Sequence, residues 1–489
     1  MTDNPTGPAV ASDGRGDSRV PEERTPWSVI GLMLGAAFVV ILNETTMAVA
    51  LPSLMHELNI SAQTAQWVST GFMLAMAVVI PTTGFLLNRF TTRQIFLAAM
   101  GLFSLGTLMA GFAPGFAPLL IARLVQGSGT AIMMPLLMTT ILQLVPVHRR
   151  GQVMGFVSIV MSMAPAMGPT VSGLILQVAS WRWIFFVMLP IAVTMLLVGA
   201  WRLVDVGERR PQRLDPLSVV LSGLGFGGLV FALNKVGDPA GTTVLVTSLG
   251  VGAVSLVLFV LRQLALQRVD QPFLDLRTFK HHNFTVGIGL LMIGFLSLMG
   301  VALVFPIYLQ DVRGLNTMTT GLLLLPGGLA MGLLGPLIGR LFDRFGARVL
   351  VVPAASTMTL MIFTLTWVTS TSTPIVVLIG IHVVLSLSLS FMFTPTFTAA
   401  LNDLNPKLYS HGSALVGTLQ QVGGAAGSAL LITVMAQRAA GLERAGIGRV
   451  EALLHGTHAT FTLAGFIAMG AILLGLLLRK PATPPAVRV

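Results

Sequence analysis

Apolar runs of about twenty residues recur along this chain from Trp27 to Leu478, and that recurrence constrains the fold more than any single motif. A helix of that length, rising 1.5 Å per residue, crosses the roughly 30 Å hydrocarbon core of a bilayer. With 54% hydrophobic and only 10% charged residues among 489, there is too little polar side chain to solvate a globule of this size. The implied fold class is an all-α polytopic membrane protein.

The pattern predicts fourteen spans. Six lie near 27 to 51, 64 to 87, 95 to 112, 116 to 141, 151 to 178 and 182 to 203. Two follow near 217 to 235 and 242 to 263, and then six near 283 to 308, 318 to 342, 348 to 370, 374 to 400, 411 to 437 and 456 to 479. This divides the chain into a disordered N-terminal tail (1–26), a six-helix bundle (27–203), a linker with two extra helices (204–282), a second six-helix bundle (283–479) and a short tail (480–489). The tail over 1–26 is rich in Gly, Pro, Ser and charge and lacks the pattern of a signal peptide. Placing it in the cytoplasm puts most of the 29 Lys and Arg on that side, as the positive-inside rule requires. An even number of spans returns the C-terminus to the same side, and a bacterial cytoplasmic membrane is the expected location.

The two sixes read as copies of one another. GFLLNRFTTR at 84–93 aligns with GRLFDRFGAR at 339–348, each after the second span of its bundle, and Pro135 and Pro146 correspond to Pro395 and Pro406. Repeats related by an axis along the membrane normal are a transporter architecture, with the substrate site between them near the midplane. The expectation is therefore a carrier.

Other classes are disfavoured by what the chain contains. The net charge of +11 is spread over short loops rather than gathered on one basic face, so no nucleic-acid partner is expected. The chain has no cysteine, which removes disulfides, thiolate metal sites and cysteine nucleophiles. It carries no GxxxxGK[ST] loop and no HExxH pair, so neither a nucleotide motor nor an enzyme is expected, and no cofactor or metal. A non-transporting scaffold or receptor would need a soluble domain or docking surface that the short loops do not supply. The expected partners are a small amphipathic substrate, protons and the lipid bilayer, with the chain acting as a monomer.

Several elements then point to one family. The second loop copy carries Gly339, Leu341, Asp343, Arg344, Gly346 and Arg348 in the pattern GxLxDRxGRR, while the first has Asn88 in the acidic position and Thr91 and Thr92 for glycine and a base. RLVQGSGTA (123–131), APAMGPTVSG (164–173), WRWIFFVMLP (181–190) and PIYLQDVRG (306–314) follow in order. The chain resembles the major facilitator superfamily, in particular its fourteen-span drug:proton antiporters of the EmrB/QacA type. NETTMAVALP (43–52) together with NRFTTRQIF (88–96) is similar to the lincomycin-resistance permease subgroup. That resemblance implies two six-helix bundles around two inserted helices and export of amphipathic drugs, lincosamides among them, driven by the proton motive force. A lipid, peptide or endogenous metabolite is the alternative cargo, because a fold does not fix a substrate.

The residues offer candidates for this work. Glu44 is the carboxylate expected deepest inside a span, where a charge costs roughly 2.5 to 3.5 kcal/mol on insertion scales. It is a candidate for proton coupling, against the plainer alternative of a structural hydrogen-bonding glutamate. Arg123 is the base expected within a span and needs a carboxylate, carbonyls or water, which makes Glu44 the partner to test, against a fixed packing pair. Asn43, Thr46, Gln126 and Gln420 are substrate-cavity candidates. Gly168, Pro169 and Gly173 share one helix and suit a bend or pivot, or simply tight packing. Asp343, Arg344 and Arg348 form a candidate latch at a loop, with Asp343 expected to meet the start of the fifth span near Arg149, Arg150 and Gly151, against the plainer alternative of a solvated loop turn. Asn88 lacks the charge to match it. His382, Asn234, Gln143 and Gln421 are read as links between helices.

Overall fold

The computed structural model describes residues 27–203, 205, 213–236 and 241–479. The expected tails over 1–26 and 480–489 lie outside the described residues. Those that are described contain helices and no strand.

The first bundle comprises α1 (Trp27–Leu58), α2 (Ala62–Val79) and α3 (Thr83–Arg89) joined by a short 3-10 turn, α4 (Thr92–Gly111), α5 (Phe116–Leu144), α6 (Arg150–Val178) and α7 (Arg182–Arg202). An inserted hairpin follows, made of α8 (Pro216–Ser222), a π turn, α9 (Gly228–Asn234) and α10 (Thr242–Gln267). The second bundle comprises α11 (His282–Ile307), α12 (Thr317–Leu333) and α13 (Gly335–Phe345), α14 (Ala347–Val368), α15 (Ile375–Asn402), α16 (Tyr409–Arg444) and α17 (Arg449–Leu477). Thirteen spans are single stretches, and a fourteenth is α12 and α13 taken together across a bend of 41°. The expected fourteen are all present, and most bounds fall within a few residues of the apolar runs. The largest differences are at the end of α1, which runs on to Leu58, and at 437–456, where α16 and α17 run on as helix through Arg438, Glu443, Arg444 and Glu451. Hydropathy marks where lipid ends, and a helix need not stop there.

The internal repeat is visible in the packing. In the first bundle α1 packs on α6, α2 on α5, and α4 on both α5 and α7; in the second α11 packs on α16, α12 on α15, and α14 on both α15 and α17. Pro135 and Pro395 occupy the matching helices α5 and α15, while Pro146 and Pro406 open the short turns that lead into α6 and α16. The inserted hairpin packs against α2 on one side and α16 on the other, so it bridges the two bundles along one seam.

That hairpin is pinned at its base. Asp215 caps α8 through the Ser218 N–H (3.2 Å) and accepts both Nε and Nη2 of Arg262 at 3.1 Å. The Arg262 hydrogen bond first, and the Ser218 contacts after it, hold the Asp215 carboxyl below the usual aspartate range. Gln263, fully buried, donates to Ser218 Oγ (2.7 Å) and accepts the Leu274 N–H (3.0 Å). The segment after α10 is thereby folded back, and Phe273 stacks on Phe85 of α3 at 6.1 Å.

Candidate functional site

Two arrangements bring the sequence candidates together, one inside the first bundle and one where the bundles meet.

The interior site is centred on Arg123 of α5, 1% exposed. Its guanidinium lies 4.1 Å from the ring centre of Phe72, donates from Nη1 to Asn43 Oδ1 (3.2 Å) and to Gln126 Oε1, and from Nε to the Val68 carbonyl (3.4 Å). Gln126 is itself held by donating to Thr107 Oγ1 of α4 at 2.7 Å. A permanently charged side chain is thus sheltered by an aromatic face and neutral oxygens. Among the described residues Arg123 makes no ion pair with Glu44; its acceptor on α1 is the preceding residue, Asn43. The one-residue offset decides this, since neighbours on a helix point about 100° apart. Glu44 is half-buried and has no hydrogen bond among the described residues, and the Asn43 amide Nδ2 is buried without a partner. Phe72 was not legible as a site residue, because one aromatic in an apolar span carries no mark.

The remaining cavity candidates separate. Thr46 is fully buried and donates back to the Asn43 carbonyl (2.8 Å), a bond internal to α1. Gln126, with both ends engaged, positions Arg123 rather than facing open space. Gln420 is half-buried on α16, beside Gln421, which reaches Met76 Sδ of the other bundle at 3.7 Å. His382 lies in the second bundle, stacked on Phe305 at 5.7 Å, apart from the Arg123 cluster. Gly168 is buried where a Cβ would fall on Thr45 of α1, so it permits the α1–α6 approach next to Glu44. Pro169 is in the same helix, but Gly173 has nothing within 4 Å of where its Cβ would stand. Close packing therefore requires glycine at 168 and not at 173.

The second arrangement is a pair of latches at one end of the bundles. Asp343, near the end of α13, accepts the Gly151 N–H with Oδ1 (3.0 Å) and the Gln152 N–H with Oδ2 (3.1 Å). These are among the first N–H groups of α6, which have no acceptor within their own helix. Below them Gly151 and Gly155 of α6 face Gly339 and Gly335 of α13, backbone against backbone, so that a Cβ at any of the four would strike the opposing chain. Further along, Ser158 and Thr394 share a hydrogen bond of 2.5 Å. Arg344 lies over the ring of Phe345, and Arg348 is exposed.

The equivalent place in the first copy is Asn88 at the end of α3. Its Oδ1 accepts from Ser410 Oγ (2.5 Å), and its Nδ2 donates to His411 Nε2 (2.9 Å) in the first turn of α16. The loops beyond also differ. Gly346 sits at φ +81°, a conformation that suits only glycine well, whereas Thr91 at the matching position is extended and caps α4 in a reciprocal box with Gln94.

Arg150 belongs to this end too; the sequence marks it only as part of the start of the fifth span, and the structure gives it a contact of its own. It is buried, accepted by the Leu142 and Val145 carbonyls (2.5 and 2.9 Å), and reaches Asn402 Oδ1 (2.9 Å) and Tyr409 Oη (3.2 Å) of the other bundle. Arg150 and Tyr409 each open their helix, at equivalent points of the repeat. A comparison of PVHRRG at 146–151 with PKLYSHG at 406–412 is the signal that marks the place.

These cross-bundle contacts cluster at the end that carries the two repeated loops.

Comparison with known proteins agrees with this geometry. The family model for the major facilitator superfamily matches residues 33–428. The MFS-type transporter YcnB of Bacillus subtilis is 40% identical over 459 residues, covering 93% of this chain and 96% of its own. The lincomycin resistance protein LmrB of Listeria monocytogenes is 40% identical over 461 residues, covering 93% and 97%. Among solved structures, the human organic anion transporter MFSD10 superposes with a TM-score of 0.66 at 15% identity, covering 94% of this chain and all of that one; at that identity the likeness speaks for the fold alone. With two equivalent six-helix bundles, an inserted hairpin and relatives of 40% identity along nearly its whole length, the chain belongs to the major facilitator superfamily of membrane transporters.

Proposed function

We propose that this transporter exports amphipathic drugs, lincosamides among them, in exchange for protons, from a bacterial cytoplasm across the plasma membrane. The observation that carries the reading is the placement of Glu44 beside the caged Arg123, on the helix that meets α6 at Gly168. Relatives named for lincomycin resistance support the cargo. With both termini in the cytoplasm, the latched end is the cytoplasmic one, and the structure corresponds to a state closed on that side.

In this reading Glu44 carries the proton. When it is ionised, its field adds to that of the neutral oxygens around Arg123 and holds α1, α2 and α5 in one arrangement. Protonation removes that attraction, and the equilibrium between bundle arrangements shifts by the difference in interaction between the two states. One charge moving inward is worth about 2.3 kcal/mol per 100 mV, and each unit of pH difference adds about 1.4 kcal/mol, enough for one proton to sustain a tenfold or greater drug gradient.

The test uses everted membrane vesicles with lincomycin and a panel of amphipathic dyes. Glu44→Gln is expected to abolish pH-driven accumulation while leaving substrate counterflow intact. Normal pH-driven accumulation by that variant, or uncoupler-insensitive transport by the parent, overturns the proposal.

A further inference from the structure

A cavity of about 910 Å³ lies at the latched end, away from the Arg123 site, between Asn88, the folded-back segment after α10 and the loop that leads into α16. Its walls are charged. Asp270 and Asp275 are both taken up by Arg277, at 2.7 Å each, and the Asp275 hydrogen bond first, then that to Asp270, raise the Arg277 pKa above its ordinary value. Lys280 and Lys407, by contrast, line the cavity from the segment after α10 and from the loop that leads into α16, exposed and without an ion-pair partner among the described residues. His281, His411 and Asn405 complete a lining in which three cations, Arg277, Lys280 and Lys407, stand against two carboxylates, Asp270 and Asp275. An anion placed between two exposed lysines is attracted to both.

The position gives such an anion a role. At the equivalent place in the repeat, Asp343 sets a carboxylate against the start of α6. Here the position of that carboxylate is taken by the neutral Asn88, which meets Ser410 and His411 in the first turn of α16 and itself lines the cavity. We propose that this cavity binds a phosphate-bearing anion between Lys280 and Lys407, seated against Asn88, where it supplies to the α3–α16 latch the negative charge that Asp343 supplies to the α6–α13 latch. A phosphate monoester in solution and the headgroup of an acidic phospholipid share the required chemistry. The segment from 269 to 281, which follows the inserted hairpin, forms one wall, so the site depends on the extra helix pair.

The experiment measures equilibrium binding of sn-glycerol 3-phosphate and, separately, of short-chain phosphatidylglycerol to the full-length protein in neutral detergent, with phosphatidylcholine as the uncharged-net control. Saturable binding of the first identifies a soluble phosphate source; saturation by phosphatidylglycerol alone identifies a lipid headgroup. The Lys280→Gln/Lys407→Gln protein is expected to bind at least tenfold more weakly, and both positions are exposed, so folding is not at stake. Asn88→Asp, which places a carboxylate in the wall, is expected to weaken binding by a similar factor. Because the chain has no cysteine, Gly417→Cys on α16, facing Ile80 and Pro135 across the seam, reports seam opening by maleimide labelling, and the saturating anion should slow that labelling several-fold. Absence of saturable binding by either probe, or equal binding by the parent and double-lysine proteins, overturns the site. Labelling unchanged by bound anion overturns its part in the latch.

Discussion

At α13 a carboxylate meets the opening N–H groups of α6, and four glycines press the two backbones together. At α3 the same place in the repeat holds a neutral amide, and contact with α16 passes through the side chains of Ser410 and His411. Two seams that began as copies have diverged into a charged, close-packed one and a neutral, side-chain-mediated one. Shape sets the first, because glycine faces can separate or meet but cannot meet halfway. Polar groups set the second, and these can be exchanged or supplied from outside. The difference teaches that one rocking motion can be governed at its two seams by different chemistry.

The largest effect should come from filling the glycine face. Gly339→Val places side-chain carbons where the Gly151 carbonyl stands, and overpacking of this kind costs about 1 to 3 kcal/mol, here borne by the closed state alone. Transport is expected to fall by roughly tenfold to a hundredfold, with the seam reporter at position 417 labelled faster; unchanged transport would break the distinction between the seams. Asp343→Asn comes next and makes the second latch an imitation of the first. Losing a carboxylate at a helix N-terminus removes about 0.3 to 2 kcal/mol, so seam labelling should rise between about twofold and twentyfold. The reverse change, Asn88→Asp, adds a charge to a latch already held by two side-chain hydrogen bonds and should slow labelling only about twofold to fivefold in anion-free buffer. A rise in labelling would show that the amide is required for its bond to His411.

The smallest effect concerns the base of the hairpin whose following segment walls the Asn88 latch. Asp215 has its carboxyl pKa lowered on folding, so its contribution to stability is present above the ordinary aspartate value of about 3.9 and is lost as pH falls through the lower folded value. Between pH 8 and pH 5 the hairpin should hold unchanged, which hydrogen exchange of the α8 and α10 amides would check. Asp215→Asn is expected to alter transport by less than about twofold, as for other partly exposed ion pairs.

Much of the architecture was legible in the sequence, because lipid enforces a simple rule. Spans must be apolar and about twenty residues long, and the repeat at 84–93 and 339–348 fixed which helices correspond. The interior site was legible as a set of residues but not as a set of pairs. Asn43, Glu44, Arg123 and Gln126 stand out as polar groups in apolar helices, yet which of Asn43 or Glu44 faces α5 depends on the rotation of α1, and a single sequence does not encode that rotation visibly. The role of Arg150 was hidden for a different reason. It reads as one of several loop arginines, and only the fold shows it buried between carbonyls of its own bundle and Asn402 and Tyr409 of the other. The bend between α12 and α13 likewise follows from tertiary packing on α6, with Pro336 at the start of α13 marking the place.

The inserted hairpin lies against α2 and α16, with Trp67 and Phe231 in ring contact at 5.7 Å, and this has a consequence for molecules dissolved in the bilayer. A lipid-soluble compound approaching from the side meets a fence on that flank. On the other flank α6 meets α12, and the inserted helices α8 to α10 are on the opposite side, against α2 and α16. The two flanks therefore present different walls to the bilayer, one doubled by the inserted pair and one formed by α6 and α12 packed directly together.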